Sequence, residues 1–370
     1  MIPFNKPYLV GEEIHYISNS INSLHLAGDG YYTKLCSKWL EDELRTKKAL
    51  LTTSCTSALE MAIILSDIGI NDEVIIPSYT FVSSANAVVM RGATPVFVDI
   101  DPVTLSIDLD LIEGAINDKT KAILVVHYAG FSCDMNKLMS IANKYNLIVI
   151  EDAAQSILAK FEDSFLGTIG HFGCISFHET KNITCGEGGA LLVNDIKYVE
   201  RAEIIREKGT NRSKFFRGQI DKYTWCDIGS SFLSSDILSS FLYVQLLNSE
   251  IITKKRRELW YLYYENLKDN KNFKIINDIN YNLHNAHMFY LLFNNIEERT
   301  AFQNYLKTHD ITSTFHYIPL HSSIAGKKYG RDASAMKVTN LVSDCLLRLP
   351  MWIGMDIDYI LNHIKTYKRS

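Results

Sequence analysis

Lys181 stands in Ser176-Phe-His-Glu-Thr-Lys-Asn182, after a β-rich run and ahead of the flexible loop Cys185-Gly-Glu-Gly-Gly189. A lysine at a strand end is ordinarily solvated, but one held beside a carbonyl group loses its proton and becomes an amine nucleophile for Schiff-base chemistry. Asp152 closes the apolar run Leu147-Ile-Val-Ile-Glu-Asp152, where a carboxylate finds little water and needs a partner. Alone it reads more readily as a helix cap or a surface acid, and the context of the other motifs reverses that preference. Thr52-Thr-Ser-Cys-Thr-Ser-Ala58 enters an apolar helix, so its free N–H groups form either a phosphate cup or a plain N-cap. Ser176 adds a hydroxyl, and Ser78-Tyr-Thr-Phe81 puts an aromatic ring after another strand. Taken together, these features describe the needs of pyridoxal phosphate: an amine for its aldehyde, a carboxylate for its pyridinium nitrogen, a helix N-terminus for its phosphate.

The elements that must position these groups are read from periodicity. Glu73–Pro77, Pro95–Ile100, Ala122–His127, Leu147–Asp152 and Gly189–Val193 read as strands, and Thr56–Leu65 and Asn136–Lys144 as helices between them. Strands apolar on both faces belong in a sheet covered by helices on both sides, with ligands gathering at the strands' carboxyl ends. Beyond residue 245 a charged amphipathic stretch, Thr253–Tyr264, precedes strand-like Met288–Phe293 and helix-like Arg299–Leu306. The expected division is a large cofactor-binding α/β domain over 1–245 and a smaller α+β domain over 246–370. Gly209–Lys222 reads as a long exposed loop, and the Trp260–Tyr264 aromatic stripe as packing.

The 370-residue chain is 47% hydrophobic and 22% charged, which places it among globular proteins, and its net charge of −4 gives no reason to expect nucleic acid or an anionic membrane. No apolar stretch approaches the roughly 20 residues that span a bilayer, and no secretory leader is evident at the start, so a cytoplasmic address is expected. Seven scattered cysteines form no C-x-x-C pair, arguing against a disulfide framework or a zinc site. There is no Walker A motif, and Gly28-Asp-Gly30 has Thr33 where a dinucleotide fingerprint needs its third glycine. Nucleotide hydrolysis and hydride transfer lose support.

Several motifs occur in a familiar order: Pro77-Ser-Tyr-Thr-Phe81, Val98-Asp99, Val126-His-Tyr-Ala-Gly130, Glu151-Asp-Ala-Ala-Gln155, Ser176–Asn182, Gly186-Glu-Gly-Gly189 and Phe315-His-Tyr-Ile-Pro-Leu-His321. In these the chain resembles, nearly end to end, the sugar-nucleotide aminotransferases of the DegT/DnrJ/EryC1/StrS family. The resemblance implies an α/β, fold type I pyridoxal-phosphate enzyme with a mixed, mostly parallel seven-stranded sheet, working as a homodimer with its site at the interface. It also implies Lys181 as the Schiff-base lysine, Asp152 against the pyridinium nitrogen, Gln155 at the ring hydroxyl and Phe81 on the ring face. Cys55, Thr56 and Ser176 would hold the phosphate. Ser231 stands in Gly229-Ser-Ser-Phe-Leu233 where relatives carry an asparagine that completes a partner's phosphate site.

The implied substrates are L-glutamate and a nucleotide-linked 4-keto-6-deoxy sugar. Glu207-Lys-Gly-Thr-Asn-Arg-Ser213 and Asp221-Lys-Tyr-Thr-Trp225 echo the members that turn dTDP-4-keto-6-deoxy-D-glucose into dTDP-4-amino-4,6-dideoxy-D-galactose for surface polysaccharides. His316, Tyr317 and His321 are candidates for the acceptor sugar, with Arg212 and Arg217 for its diphosphate. Each has a structural alternative: a satisfied histidine near a domain junction, or a solvated loop arginine. A same-fold dehydratase would carry histidine in place of Lys181, and a silent sensor would have no reason to keep the whole set.

Overall fold

The computed structural model describes residues 1–276 and 282–368. The apolar runs pair into an eight-stranded sheet in the order Lys48–Thr52, Gly189–Val193, Phe172–Ser176, Ile148–Asp152, Thr120–Val126, Glu73–Pro77, Thr94–Val98, Arg331–Asp332. Gly189–Val193 runs antiparallel to both neighbours and every other pair is parallel. The eighth strand, two residues long at the edge, comes from the C-terminal part of the chain and has no apolar run to announce it.

Helices cover both faces. Leu59, Ala62 and Ile63 of the helix Cys55–Leu65 pack on one side, and Leu138, Ile141 and Ala142 of the helix Met135–Lys144 on the other. Both bury side chains that return near every 3.6 residues, the spacing that marked them as helices. Register then fixes the functional edge. Thr52 and Ser176 both face Gly189, and Val126 faces Asp152, so four strand ends open onto one rim. A Cβ on Gly189 would lie 2.5 Å from the Cys55 backbone nitrogen, which is why this strand brings glycine to the helix N-terminus.

The C-terminal part holds a three-stranded antiparallel sheet of Lys274–Ile275, Tyr290–Leu292 and Leu346–Arg348. The helices Ser249–Leu267, Ile296–Thr308, Lys337–Cys345 and Ile357–Thr366 contribute to its core. Trp260 and Tyr263 are fully buried against Phe289, with ring centroids 5.4 and 5.0 Å away, and serve packing. Gly209–Lys222 is not a featureless loop: it contains the short helix Arg212–Phe216, because Arg212 and Arg217 find Glu207 and Glu203 on the preceding segment. All seven cysteines are free thiols, and Cys226 is the exposed one. Among the described residues no helix is long and apolar enough to cross a membrane.

Asp99, just past its strand, joins the two parts. Its carboxylate accepts from Val338 N at 2.9 Å and Thr339 N at 2.8 Å, capping the first turn of Lys337–Cys345. Asp99→Ala strands these buried donors and is expected to cost about 1–3 kcal/mol. Urea unfolding should show a lower midpoint; an unchanged midpoint would mean that water replaces the carboxylate without loss.

Candidate active site

A cavity of about 520 Å³ opens at the strand ends. Asp152, Gln155, Ser176, Cys55, Thr56, Phe81, Lys181, His316 and Tyr317 all line it. Asp152 is buried, accepting from Ser84 Oγ at 2.7 Å and from the Ala154 N–H at 3.2 Å. Burial raises its pKa, and the two hydrogen bonds and nearby Lys181 oppose the rise. The neighbouring Glu151 holds this strand end rigid from behind. Its carboxylate accepts from His127 Nε2 at 2.8 Å and from the N–H groups of Gly167 and Ile169, each at 2.7 Å.

Lys181 Nζ has no hydrogen-bond or ion-pair partner among the described residues, while its backbone N–H donates to the His178 carbonyl at 2.9 Å. Burial lowers its pKa; Cys55 and Asp152 work against the shift and Arg348 adds to it. The helix Cys55–Leu65 points its N-terminus into the same cavity. Ser54 caps it by accepting from Ser57 N at 3.1 Å, which leaves the Cys55 and Thr56 N–H groups for an anion. Thr56 Oγ1 shares a hydrogen bond with Ser83 Oγ at 2.8 Å. Phe81 precedes the helix Val82–Val89 and is 58% exposed, presenting an unused ring face.

The opposite wall is aromatic and polar. Gln155 accepts from Ala129 N at 2.7 Å and donates to Tyr317 Oη at 2.9 Å, so the two side chains act as one unit. Tyr128 Oη meets His316 Nδ1 at 3.2 Å, and Tyr79 donates to the His316 carbonyl. Burial drives His316 well below the ordinary histidine range and keeps it neutral.

Three expected sugar ligands lie outside this cavity, and so does Ser231, whose expected place is a partner's phosphate site. His321 Nδ1 is bonded to Ser78 Oγ at 2.7 Å, a tether between the strand end and the C-terminal part, outside the cavity. Arg212, Arg217 and Ser231 line a second cavity of about 860 Å³, and both arginines are engaged by glutamates. Sequence reasoning missed Ser84, His287 and Arg348, which touch Asp152 or line the cavity. Arg348 sits at the end of a short strand in Leu346-Leu-Arg-Leu-Pro350, and nothing in that run marks it as facing the site.

Residues 7–365 match the DegT/DnrJ/EryC1/StrS aminotransferase family. The chain belongs to this family. It is 30% identical to a GDP-perosamine synthase of Escherichia coli O157:H7, over 87% of this chain and 86% of that one. It is 32% identical to an uncharacterised protein of Methanocaldococcus jannaschii, over 100% of this chain and 97% of that one. Among solved structures, the PMP form of the putative sugar aminotransferase Spr1654 of Streptococcus pneumoniae superposes with a TM-score of 0.91 at 26% identity, covering 99% of this chain and 98% of that one. The protein is a pyridoxal-phosphate-dependent sugar aminotransferase. The side chains fit that cofactor: a free desolvated amine, a buried carboxylate, an open helix N-terminus and an exposed aromatic face share one cavity.

Because burial frees Lys181 of its proton below the ordinary lysine value of about 10.4, an aldehyde probe should mark it first. Labelling of cofactor-free protein with pyridoxal and borohydride, mapped by mass spectrometry, should show a Lys181 rate that rises at a lower pH than for surface lysines. In Asp152→Asn the midpoint should fall further, since the carboxylate's charge favours the ammonium. A Lys181 midpoint at or above that of surface lysines would contradict the assigned electrostatics.

Proposed function

We propose that the protein transfers the amino group of L-glutamate to a nucleotide-linked 4-keto-6-deoxy sugar, with Lys181 and Asp152 as its central residues. The convergence of these two side chains and the helix N-terminus on one cavity carries the reading. Gln155, Phe81, Ser176, Cys55 and Thr56 line the same cavity and, in this reading, hold the cofactor's ring and phosphate. When bound, pyridoxal phosphate supplies an aldehyde for exchange of amines and a ring that accepts an electron pair from the substrate carbon.

The chain's own residues then set the chemistry. Lys181 Nζ, its pKa lowered by burial, takes a proton from the donor's α carbon and returns one to the acceptor side. Asp152 holds a proton on the ring nitrogen by its charge, with Ser84 orienting the carboxylate. Tyr317, clamped by Gln155, and neutral His316 face the sugar as hydrogen-bonding groups. The walls bury Asp152 and half-bury Lys181, which strengthens each of these interactions.

The finer sequence echoes favour dTDP-4-keto-6-deoxy-D-glucose as acceptor and dTDP-4-amino-4,6-dideoxy-D-galactose as product. A relative named for GDP-perosamine supports a second reading, in which the nucleotide is GDP. A relative from Bacillus subtilis named for spore coat polysaccharide biosynthesis, 35% identical over 58% of this chain, supports a surface polysaccharide as destination. Homodimer formation belongs to the same proposal, with Ser231 and Arg212 serving a neighbouring copy's site from the second cavity.

Turnover with L-glutamate and each sugar nucleotide tests the reading. Lys181→Ala should fold yet lose about 10³-fold or more in turnover, and Asp152→Asn about 10²- to 10³-fold. Near-normal turnover in either variant would remove that residue from the mechanism. The dTDP-linked sugar should be the best acceptor; preference for the GDP-linked sugar would select the second reading, and failure of all keto-sugars would reject the acceptor class.

A further inference from the structure

The loop that carries Lys181, residues 177–188, lies between the strands Phe172–Ser176 and Gly189–Val193 and is bonded mostly to itself. Glu179 N donates to the Gly186 carbonyl at 2.8 Å, and Cys185 N to the Phe177 carbonyl at 2.9 Å. Among the described residues, the hydrogen bonds that leave this loop for the C-terminal part are both made by the buried side chain of Asn182, next in sequence to the reacting amine.

Each of these two bonds fixes the polarity of the other. Asn182 Nδ2 donates to the Asn285 carbonyl at 2.8 Å, which an amide oxygen cannot do, so Oδ1 is the atom that meets His287 Nδ1 at 3.1 Å. An amide oxygen only accepts, so His287 carries a proton on Nδ1. Burial, with the charges of Lys181, Arg256 and Arg348, pushes the imidazole well below the ordinary histidine range, so that proton belongs to a neutral ring.

The ring is also fixed from behind. Arg256 Nη2 donates to the His287 carbonyl at 2.8 Å and Arg256 Nε to the Ala286 carbonyl at 3.1 Å. Asn285 Nδ2 donates to the Gln155 and Ile157 carbonyls at 3.1 and 2.9 Å. The strap 285–287 therefore runs from the segment that follows Asp152 to the loop of Lys181. Lys181 Nζ lines the cavity without a hydrogen-bond partner among the described residues, so the aim of its flexible four-carbon stem depends on where the loop holds its backbone.

We propose that His287 is a positioning residue for the amino-transfer step: its Nδ1–H holds Asn182 Oδ1, and through Asn182 it sets the backbone from which Lys181 Nζ reaches the substrate carbon. The inference rests on Lys181 as the proton-moving amine of the reading above. A displaced Asn182 misplaces the base, and the loss falls on the proton step more than on donor affinity.

The test compares His287→Asn, whose amide nitrogen falls where Nδ1 stands, with His287→Gln, whose amide nitrogen falls near the place of Nε2. In the first half-reaction of cofactor-loaded protein with L-glutamate, followed by absorbance, His287→Gln should lose about 10- to 100-fold in rate with KM changed less than about 3-fold, and His287→Asn should stay within about 3-fold of wild type. Glutamate deuterated at the α carbon should show a larger isotope effect in His287→Gln than in wild type, because the step that Lys181 performs has slowed. Asn182→Ala should match His287→Gln, and the double variant should be no slower than either, since both remove one link. Long-range proton–nitrogen spectra of protein labelled with nitrogen-15 histidine, with the His287 signal identified by its absence from His287→Asn, should show a neutral ring protonated at Nδ1. Equal rates in His287→Asn and His287→Gln, a wild-type rate in Asn182→Ala, or a ring protonated at Nε2 alone would each overturn the proposal. If Lys181→Ala turns over normally, the role of Lys181 falls and this inference with it; Lys181-dependent turnover that is indifferent to His287 removes this inference alone.

Discussion

Asp152, buried, and Lys181, half-buried, line one cavity without forming an ion pair, and the architecture around them maintains that separation. Burial raises the pKa of the one and lowers that of the other, so each is displaced toward its neutral form while still feeling the other's charge. Two desolvated groups of opposite sign would gain by collapsing onto each other. They are kept apart because they ride on different parts of the scaffold. Asp152 is the last residue of a central parallel strand, braced by Glu151, Ser84 and the following turn. Lys181 sits in the loop between the strands Phe172–Ser176 and Gly189–Val193, tied by Asn182, which donates to the Asn285 carbonyl at 2.8 Å and meets His287 Nδ1 at 3.1 Å.

The second part of the molecule completes this constraint. Gln155, Tyr317, Tyr128 and His316 form a hydrogen-bonded wall that draws on both the strand ends and the C-terminal segment. Asn285 donates to the carbonyls of Gln155 and Ile157, fastening the strap behind the site. A buried Arg256 holds the Ala286 and His287 carbonyls. Polar contacts between the two parts include these at the site and the Asp99 and Glu73–Arg331 joints away from it, while Trp260, Tyr263 and Phe289 supply apolar packing.

The parts of this arrangement that were legible in the sequence are those written in local patterns. Apolar runs, a Ser/Thr-rich helix start and the strand-end acid and lysine are one-dimensional signals, and the sheet, the helix Cys55–Leu65 with its N-terminus at the cavity, and the Asp152–Lys181 cavity follow from them. Arg348, His287 and Ser84 are not local in this sense. Each reaches the cavity through a long-range packing arrangement, and a lone arginine or serine carries no periodicity to mark its facing. His321, whose motif is intact, has its ring bonded to Ser78, and Arg212 and Arg217, engaged by acids on the preceding segment, line the second cavity, which no local pattern announces.

A crystal structure of the protein prepared with pyridoxal phosphate tests the central claim most directly. The account predicts continuous density from Lys181 Nζ to the cofactor, the Asp152 carboxylate within hydrogen-bond distance of the ring nitrogen, and the phosphate at the Cys55 and Thr56 N–H groups. A cofactor attached to another lysine, or one whose ring nitrogen faces away from Asp152, would contradict it.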